Sequence, residues 1–414
     1  MYREELINKA LRLPVSAIPY YVSSQLAALF PEKALIACEN GLFDVEEYAR
    51  EEHCSIEAET TIYNEFVSNW EEPDEEEHAT ATDGQLTKHA RNAWMQVAWG
   101  GERLEYIKMQ WVEGYSHHVH HWLLADREET ANAFLEIVIR WNAEVRGEIL
   151  VFDDGCWHKD QQLYRVIQGA TLDNLILHGT LKQDIRTDLE RFFNARALYE
   201  KYRIPWKRGI LLVGSPGNGK THTVKALINL LGKPCLYVKS LKAEYCTDEK
   251  NISDVFSKAR KAAPCILVLE DLDSLLTDEN RSFFLNELDG FAANIGIVTL
   301  ATTNHPERLD PAILDRPSRF DRKYAFNIPG LPERIEYISF WNASLQDMMC
   351  LPEEAIEHIA KLTAGFSFAY LKELFLSSMM RWIVAPQPDI MDKIMLEQVT
   401  LLREQMVINA QSSD

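Results

Sequence analysis

A glycine-rich segment in the middle of the chain constrains the fold more than any other feature. It comprises Gly214, Ser215, Pro216, Gly217, Asn218, Gly219, Lys220 and Thr221, which fit the pattern GxxxxGK[ST]. An apolar run, 210–213, precedes it, and a stretch of helical character, 223–231, follows it. This order predicts a strand, a loop whose backbone N–H groups turn toward phosphate oxygens, and a helix that presents its positive end to them. We expect Lys220 to neutralise the β- and γ-phosphates and the Thr221 hydroxyl to bind Mg²⁺.

A pair of carboxylates follows a second apolar run. Residues 266–269 are Ile, Leu, Val and Leu, and Glu270 and Asp271 come directly after them. A phosphate loop needs an acid at the end of a neighbouring buried strand to hold its metal ion. We expect one carboxylate to hold Mg²⁺, usually through water, and the other to orient the attacking water. The alternative is a group of capping acids ahead of the next helix, an interpretation that suits Asp273.

A third polar segment follows another apolar run. Thr302, Thr303 and Asn304 come after residues 295–300. An Asn after a strand is usually turn chemistry. Its order after the phosphate loop and the paired acids favours a second interpretation, in which Asn304 contacts a γ-phosphate or the attacking water.

Arginines follow in a short polar stretch. Arg316 and Arg319 are three positions apart, and Arg322 comes three positions later. A planar, permanently charged guanidinium suits the stabilisation of charge in phosphoryl transfer, often from a neighbouring molecule. We therefore predict that Arg316 and Arg319 are catalytic, whereas an ordinary surface salt bridge explains Arg322 better.

The pattern of apolar residues divides the chain into three regions. Residues 181–330 alternate strand-length apolar runs with helical stretches, which is typical of a parallel sheet covered by helices. Residues 331–414 have helical periodicity with prolines at the expected helix starts, Pro332 and Pro352. Residues 1–180 contain predicted strands at 106–111, 116–124 and 148–152, a predicted helix at 128–145 and a solvated acidic loop at 71–77. We therefore predict an α+β accessory domain, an α/β core and a helical domain.

Composition and charge exclude several classes of protein. Of 414 residues, 46% are hydrophobic and 26% are charged, which excludes a wholly disordered chain. Residues 1–180 carry 14 Lys and Arg against 32 Asp and Glu, or −18 of the total charge of −20. This acidity disfavours nucleic acid as the main ligand. The sequence has no apolar run long enough to span a bilayer and no CxxC pair. We expect a cytoplasmic protein with reduced thiols.

Taken in order, GSPGNGKT, ILVLEDLD, ATTN and LDPAILDRPSRFDR resemble the ATPase core of the AAA family. The resemblance covers about residues 170–375. It implies a P-loop core with a parallel five-stranded sheet sandwiched by helices, followed by a helical lid. Residues 365–369 resemble the lid turn near adenine. The resemblance further implies that ATP and Mg²⁺ are the cofactors and that the chain self-associates into a ring, commonly a hexamer.

The resemblance also implies roles for individual residues. Thr221 and Glu270 hold Mg²⁺, Asp271 orients the water and Asn304 senses the γ-phosphate. Arg316 and Arg319 reach the ATP of the adjacent subunit.

The sequence departs from the usual AAA pattern at two places. Most members carry Asp and then Glu after the strand, whereas Glu270 precedes Asp271 here. That order resembles the branch of the mitochondrial chaperone that inserts the Rieske iron–sulfur subunit, and we predict a soluble relative of that branch. In the segment that matches the central pore loop, Ala243 and Glu244 follow Lys242, and Tyr245 comes only later. Threading of an extended client and handling of a folded or basic client both fit this segment.

These features predict an ATPase that hydrolyses MgATP at subunit interfaces to remodel or translocate a protein client. The acidic amino-terminal domain would recruit the client or impose assembly. One alternative is an ATP-gated oligomeric assembly or signalling platform with slow hydrolysis, and another is a nucleic-acid motor. A cluster of histidines, His117, His118, His120 and His121, has two interpretations. It is either a metal site or, more in keeping with the absence of a nearby third ligand, a polar strand with packed histidines.

Overall fold

The computed structural model describes residues 3–39, 41–58, 64–71, 85–113, 116–289, 293–316, 318–345, 347–384, 386–387 and 390–411. The chain divides into two compact units, residues 1–146 and 147–414. Most of the acidic run 71–77 and the turn residue Gly114 lie outside the described residues. No described helix is both long enough and apolar enough to cross a membrane.

The first unit is built on a six-stranded antiparallel sheet. Its helices are α1 (Arg3–Ala10), α2 (Ile18–Leu29), α3 (Val45–Arg50) and α4 (Glu128–Ala143), with a 3₁₀ turn at Val15–Ala17. Its strands are β1 (Ala34–Cys38), β2 (Ser55–Ala58), β3 (Glu65–Glu71), β4 (Gln85–Trp99), β5 (Glu102–Glu113) and β6 (Ser116–Ala125). The strand order is β1-β6-β5-β4-β2, and β3 also pairs with β4. The strands and helix predicted at 106–111, 116–124 and 128–145 correspond to β5, β6 and α4.

Both faces of this sheet are covered, because successive side chains of a strand point to opposite faces. Tyr106 packs with Phe134 of α4 in one apolar core. Its neighbour Ile107 packs with Leu6 of α1 and Val22 of α2 in the other. The helices on each side therefore bury the two faces separately.

The second unit contains a seven-stranded sheet with helices on both faces. Its strands are β7 (Ile149–Asp153), β8 (Cys156–Asp160), β9 (Arg208–Val213), β10 (Cys235–Val238), β11 (Cys265–Leu269), β12 (Ile297–Thr303) and β13 (Arg322–Ala325). The helices among them are α5 (Gln161–Gln168), α6 (Leu181–Asn194), α7 (Arg196–Tyr202), α8 (Lys220–Leu231), α9 (Asp248–Ala262), α10 (Leu272–Leu275), α11 (Arg281–Asp289) and α12 (Pro311–Leu314), with a 3₁₀ turn at Pro306–Arg308. The strand order is β13-β9-β12-β11-β10-β7-β8. Every neighbouring pair is parallel except β7 and β8.

The register of the central strands brings three strand ends to one edge of the sheet. Thr303 of β12 pairs with Val213 of β9, and Ala301 of β12 pairs with Leu269 of β11. The segments that follow β9, β11 and β12 therefore begin side by side. Ligands of open α/β sheets bind outside such carboxyl ends.

The sequence interpretation of residues 148–152 was wrong in its domain assignment. It placed this strand in the amino-terminal domain, whereas Leu150, Val151 and Phe152 of β7 pair in parallel with β10. The expected five parallel strands are thus extended by β7 and by the antiparallel strand β8. Val151 and Phe152 are buried. The strand therefore has the apolar character of the central parallel strands. The domain assignment was wrong because its partner β10 lies more than 80 residues farther along the chain, and no local pattern shows such a pairing.

The carboxyl-terminal part of the second unit is helical, as the periodicity of residues 331–414 predicts. It contains α13 (Leu331–Asn342), α14 (Glu353–Leu362), α15 (Phe368–Val384) and α16 (Met391–Gln411), with a 3₁₀ turn at Asp347–Met349. Pro332 is the second residue of α13, and Pro352 is the N-cap of α14, as their positions predict. These helices have their own apolar core, which includes Ile338, Phe375 and Met395.

Candidate active site

The phosphate loop connects β9 to α8 and depends on backbone conformations that only glycine adopts easily. Gly217 and Gly219 have φ angles of 79° and 91°. A methyl group on Gly217 would lie 2.7 Å from Ala369 Cβ and 2.9 Å from Ser367 Oγ in the lid. The Ala369 N–H also donates to the Gly217 carbonyl at 3.0 Å. The predicted lid turn therefore lies directly against the loop.

Lys220 begins α8 and is almost fully buried, with 6% of its surface exposed. Its Nζ donates to the Gly214 carbonyl at 2.5 Å and to the Ser215 carbonyl at 3.0 Å, so the ammonium group is held against the loop. Burial lowers the pKa of Lys220, and the nearby carboxylates, Asp271 first among them, counteract this shift. Thr221, the next residue, is exposed in the first turn of α8.

The other polar residues of the loop support its shape. Asn218 is 1% exposed, and its Nδ2 donates to the Ser215 carbonyl at 3.3 Å. The Thr223 hydroxyl donates to the Gly219 carbonyl at 2.8 Å. Ser215 and Pro216 are exposed. The predicted loop residues thus form one contiguous turn at the amino terminus of α8.

Glu270 follows β11 on the sheet face that α8 covers. Because side chains alternate along a strand, Glu270 lies on the same face as Val268, which belongs to the apolar core that contains Val224 and Leu227 of α8. The Tyr237 hydroxyl of β10 donates to Glu270 Oε2. Burial and the charge of Glu270 raise the pKa of Tyr237 well above its usual value, so the phenol remains the donor.

Asp271 is held by the end of the neighbouring strand. Its φ of 49° turns the backbone sharply out of β11. The Asp271 N–H donates to Thr302 Oγ1 at 3.0 Å, and Asn304 Nδ2 donates to Asp271 Oδ1 at 2.8 Å. Beside this pair, the Thr303 hydroxyl donates to Asp273 Oδ1 at 2.6 Å. The structure thus brings the second predicted acid and the predicted sensor Asn304 into direct contact.

The two predicted arginines are in different environments. The Arg316 side chain is 61% exposed, whereas that of Arg319 is 6% exposed. Both bind the carboxylate of Asp289 at the end of α11, Arg316 through Nη1 at 3.2 Å and Arg319 through Nη2 at 2.9 Å. Arg319 Nη1 also donates to the Ala312 carbonyl at 2.5 Å. Only Arg316 therefore presents a largely exposed guanidinium.

Asp289 is the acceptor that organises this arginine pair. Burial of its carboxylate opposes ionisation, but hydrogen bonds from Arg319 and Ser318 and the charges of the two arginines hold the pKa of Asp289 below its usual value. Arg322, by contrast, forms an ion pair with Asp188 at 3.6 Å with its side chain 54% exposed. That contact agrees with the surface salt bridge expected for Arg322.

The residues of this site fit a Mg²⁺–nucleotide complex. Glu270 Oε1 is buried and has no hydrogen-bond partner among the described residues. An unpaired buried carboxylate oxygen is costly, and hydrated Mg²⁺ prefers oxygen ligands of this kind. The turn at Gly217 and Gly219 provides the backbone geometry of an anion cradle at a helix amino terminus.

Two other predicted features lie away from these strand ends. Tyr245 is 74% exposed in the segment before α9, where the Glu244 N–H donates to Asp154 Oδ1 at the β7–β8 turn. In the first unit, the His118 and His120 rings both stack on Trp111, which places them on one face of β6 as a strand requires. No group of three or more metal-binding side chains occurs among the described residues. The His117 side chain lies outside them.

His121 occupies the opposite face of β6. Its Nδ1 is 2.8 Å from the Tyr106 hydroxyl, and its ring meets Phe43 edge to face. Burial lowers the pKa of His121 to about 4. This histidine therefore packs in the core as a neutral ring.

The fold and the site together define a P-loop nucleotide-binding protein of the α/β class. Residues 210–328 match the family described as ATPase family associated with various cellular activities (AAA). This match indicates ATP hydrolysis, and the matched segment includes the phosphate loop, both acids, Asn304 and the two arginines.

Similar proteins include ATP-dependent zinc metalloproteases named FtsH. That of Caldicellulosiruptor bescii is 31% identical over 210 residues, which are 47% of this chain and 33% of that protein. That of Burkholderia pseudomallei is 33% identical over 199 residues, or 44% of this chain and 29% of that protein. That of Mycoplasmoides gallisepticum is 35% identical over 185 residues, or 40% of this chain and 23% of that protein. The chain thus spans no more than about a third of the length of these relatives.

The structure brings into the site three residues that the sequence patterns did not identify. Thr302 was noted only as part of its segment, and neither Asp289 nor Tyr237 was singled out. The signal for Tyr237 was a hydroxyl in an otherwise apolar strand beside the acidic strand. No local signal identified Asp289, because its partners lie 27 and 30 positions farther along the chain.

We expect Asp289→Ala to lower the free energy of unfolding by about 3 kcal/mol, because it leaves the buried Arg319 guanidinium without its counter-charge. Chemical denaturation of the purified variant measures this change. Asp278→Ala, at an exposed acid near the start of the same helix, is the control and should change stability by less than about 0.5 kcal/mol. Arg319→Met combined with Asp289→Ala should recover part of the loss. An equal or larger loss in the double variant would contradict the arginine–carboxylate contact.

Proposed function

We propose that this protein hydrolyses MgATP at interfaces between identical subunits and uses the cycle to remodel or translocate a protein client. The observation that carries the proposal is the convergence of three strand ends. The phosphate loop follows β9, Glu270 and Asp271 follow β11, and Asn304 follows β12. A hydrogen bond of 2.8 Å joins Asn304 to Asp271. This arrangement supports ATP hydrolysis, because it combines a phosphate cradle, a metal-binding oxygen and a polarising acid.

In this proposal each residue has one role. The loop N–H groups and Lys220 bind the β- and γ-phosphates, and Thr221 and Glu270 hold Mg²⁺, which supplies charge neutralisation at the phosphates when bound. Asp271 orients and polarises the attacking water. Asn304 positions Asp271 and contacts the γ-phosphate. Residues 365–369 close the loop from the lid side, which is supported by the contact between Ala369 and Gly217.

We further propose that Arg316 acts on the ATP of the adjacent subunit in a ring, commonly a hexamer in this family. Its exposure supports this role, because a guanidinium that acts in trans must leave the surface of its own subunit. Arg319 is bound by Asp289 and the Ala312 carbonyl within its own chain. Arg319 would have one of two roles. It would hold Asp289 in place beside Arg316, or it would leave Asp289 and the Ala312 carbonyl on assembly and bind the nucleotide of the adjacent subunit.

The order Glu270–Asp271 supports a place among soluble relatives of the chaperone branch that inserts the Rieske subunit. The amino-terminal unit would recruit the client, and its 27 Asp and Glu against 12 Lys and Arg in residues 1–146 favour basic client surfaces. The exposed Tyr245 fits either a grip on an extended chain or contact with a folded client. No disulfide forms among the seven cysteines, all of which lie in described residues, and this fits a reducing compartment such as the cytoplasm.

Other functions receive less support. An ATP-gated platform with slow hydrolysis would use the same nucleotide site, and the inverted acid pair is the feature that favours it. A nucleic-acid motor is disfavoured by the −18 charge of residues 1–180. The 414 residues contain no His-Glu-x-x-His segment, so the metalloprotease activity named for the FtsH relatives is not part of this proposal.

We expect Lys220→Ala to weaken ATP binding by about tenfold or more, because it removes the charge that faces the phosphates. Asp271→Asn should leave ATP binding within about threefold and lower kcat by about 100-fold. Equilibrium binding of a fluorescent ATP analogue and steady-state hydrolysis measure the two effects. Lys225→Ala, about 140° around the same helix, and Asp278→Asn are the matched controls. Normal binding after Lys220→Ala, or undiminished hydrolysis after Asp271→Asn, would contradict the corresponding role.

We expect the ATPase rate per subunit to rise with protein concentration, because each active site would need a neighbour's arginine. Arg316→Ala should lower the plateau rate by about 100-fold or more, whereas Arg322→Ala, at the neighbouring surface ion pair, should leave it nearly unchanged. Arg319→Ala should also lower it, with some loss of stability because Arg319 is buried.

Mixing the inactive variants distinguishes active sites shared between subunits from an ATP-gated platform. A subunit with Arg316→Ala keeps its own phosphate loop, and a subunit with Lys220→Ala keeps its arginine. Their mixture should therefore regain activity at mixed interfaces. A near-zero rate that does not depend on concentration, without recovery on mixing, would support the platform instead.

Stimulation of hydrolysis distinguishes the classes of partner. We expect unfolded or tagged protein to raise the ATPase rate at a concentration where rings are already formed. Stimulation by DNA or RNA would favour a nucleic-acid motor. A rate that no polymer changes would favour the platform.

A further inference from the structure

Tyr237 places a hydroxyl group in an otherwise apolar layer beside the site. It lies on β10, opposite Val268 of β11 on one side and Val151 of β7 on the other. Only 6% of its surface is exposed. Its hydroxyl donates to Glu270 Oε2. A residue of an adjacent strand thus reaches past the end of β11 to contact the first acid of the site.

The two oxygens of the Glu270 carboxylate are in different environments. Oε2 accepts from Tyr237, and Oε1 is buried without a hydrogen-bond partner among the described residues. A hydrogen bond to an ionised carboxylate is stronger than one between neutral groups and limits rotation of the side chain. The contact therefore leaves one oxygen, in a restricted orientation, for a ligand.

The length of Glu270 explains why such a restraint is needed. A glutamate has one more rotatable bond than an aspartate, so an unrestrained Glu270 loses more side-chain entropy when it binds a ligand. The Tyr237 hydroxyl reduces this loss in advance, because it already restrains the carboxylate. Preorganisation of this kind strengthens binding without adding a contact to the ligand.

Strand β7 covers the Tyr237 ring on the side away from β11. If the sheet ended at β10, Tyr237 would lie on an edge strand. Because β7 pairs with β10, Tyr237 packs between Val151 and Val268 in the core that also contains Ile149. The hydrogen bond from its hydroxyl to Glu270 is partly buried, and such a bond is electrostatically stronger than one fully exposed to solvent.

We propose that Tyr237 is a positioning residue of the metal site, which holds Glu270 so that Oε1 is the oxygen offered to hydrated Mg²⁺. This inference rests on the proposed function, because it takes Glu270 to be the metal-binding acid.

The test is Tyr237→Phe in the full chain, which removes one oxygen atom and keeps the ring. A fluorescent ADP analogue is bound at fixed concentration while Mg²⁺ is titrated, and its affinity is measured separately in EDTA. We expect the Mg²⁺ midpoint to rise about tenfold, as befits the loss of one charge-assisted hydrogen bond. The affinity in EDTA should stay within about twofold. Tyr324→Phe is the matched control, because the Tyr324 hydroxyl bonds to the Asp188 carboxylate on the opposite edge of the sheet.

A double-variant cycle separates positioning from a general effect on the sheet. Glu270→Asp withdraws the carboxylate by one methylene group from the Tyr237 hydroxyl. In that background Tyr237→Phe should change the Mg²⁺ midpoint by less than about twofold. An unchanged midpoint in the single variant, or an equal shift in both backgrounds, would overturn the proposal. If Tyr237→Phe does not fold, Tyr237→Met, which also lacks the hydroxyl, takes its place in both backgrounds and is judged by the same outcomes.

The same experiment distinguishes failure of this inference from failure of the proposed function. Wild-type protein whose ADP affinity does not respond to Mg²⁺ would contradict the proposed metal site itself. A wild-type response that Glu270→Gln abolishes and Tyr237→Phe leaves unchanged would contradict only the role of Tyr237.

Discussion

The alignment of parallel strands β9, β11 and β12 is the constraint on which the rest of the second unit depends. Parallel pairing brings their carboxyl ends to one edge, and the register of Thr303 with Val213 sets how far each strand extends. Because all three are buried on both faces, a slip of one residue would move apolar side chains into the site and carboxylates into the core. The apolar layers thus hold the polar site in place, although they contribute few atoms to it.

Hydrogen bonds within and between the sequence motifs hold the side chains of the site. Lys220 lies against its own loop, Asn304 contacts Asp271, Thr302 accepts from the Asp271 backbone, and Tyr237 contacts Glu270. Each of these bonds restrains a group before any nucleotide arrives. Such preorganisation supplies a large part of the catalytic effect in phosphoryl transfer, because the protein acts mainly by positioning the reactants and stabilising charge.

Local patterns predicted the parts of the molecule that local chemistry determines. The phosphate loop, the acids after β11 and the helix starts at Pro332 and Pro352 were predicted correctly in position, since turn geometry and strand ends depend on adjacent residues. Pairings between distant segments were not predicted. The pairing of β7 with β10 and the contact of Arg319 with Asp289 both join elements far apart in the chain. A periodic pattern of apolar residues does not show which distant elements pair or pack together. Tyr237 illustrates both kinds of information. The alternating apolar runs of residues 181–330 predict a strand of this kind, whereas the contact between Tyr237 and Glu270 depends on the register of β10 with β11.

The two edges of the seven-stranded sheet have a consequence for the behaviour of the protein at high concentration. β13 and β8 are only four and five residues long. Arg322 and Lys323 lie on one, and Lys159 and Asp160 lie on the other. Short, charged edges are poor templates for the addition of a further strand from another chain. Molecules crowded together would therefore resist fibrillar aggregation through these edges.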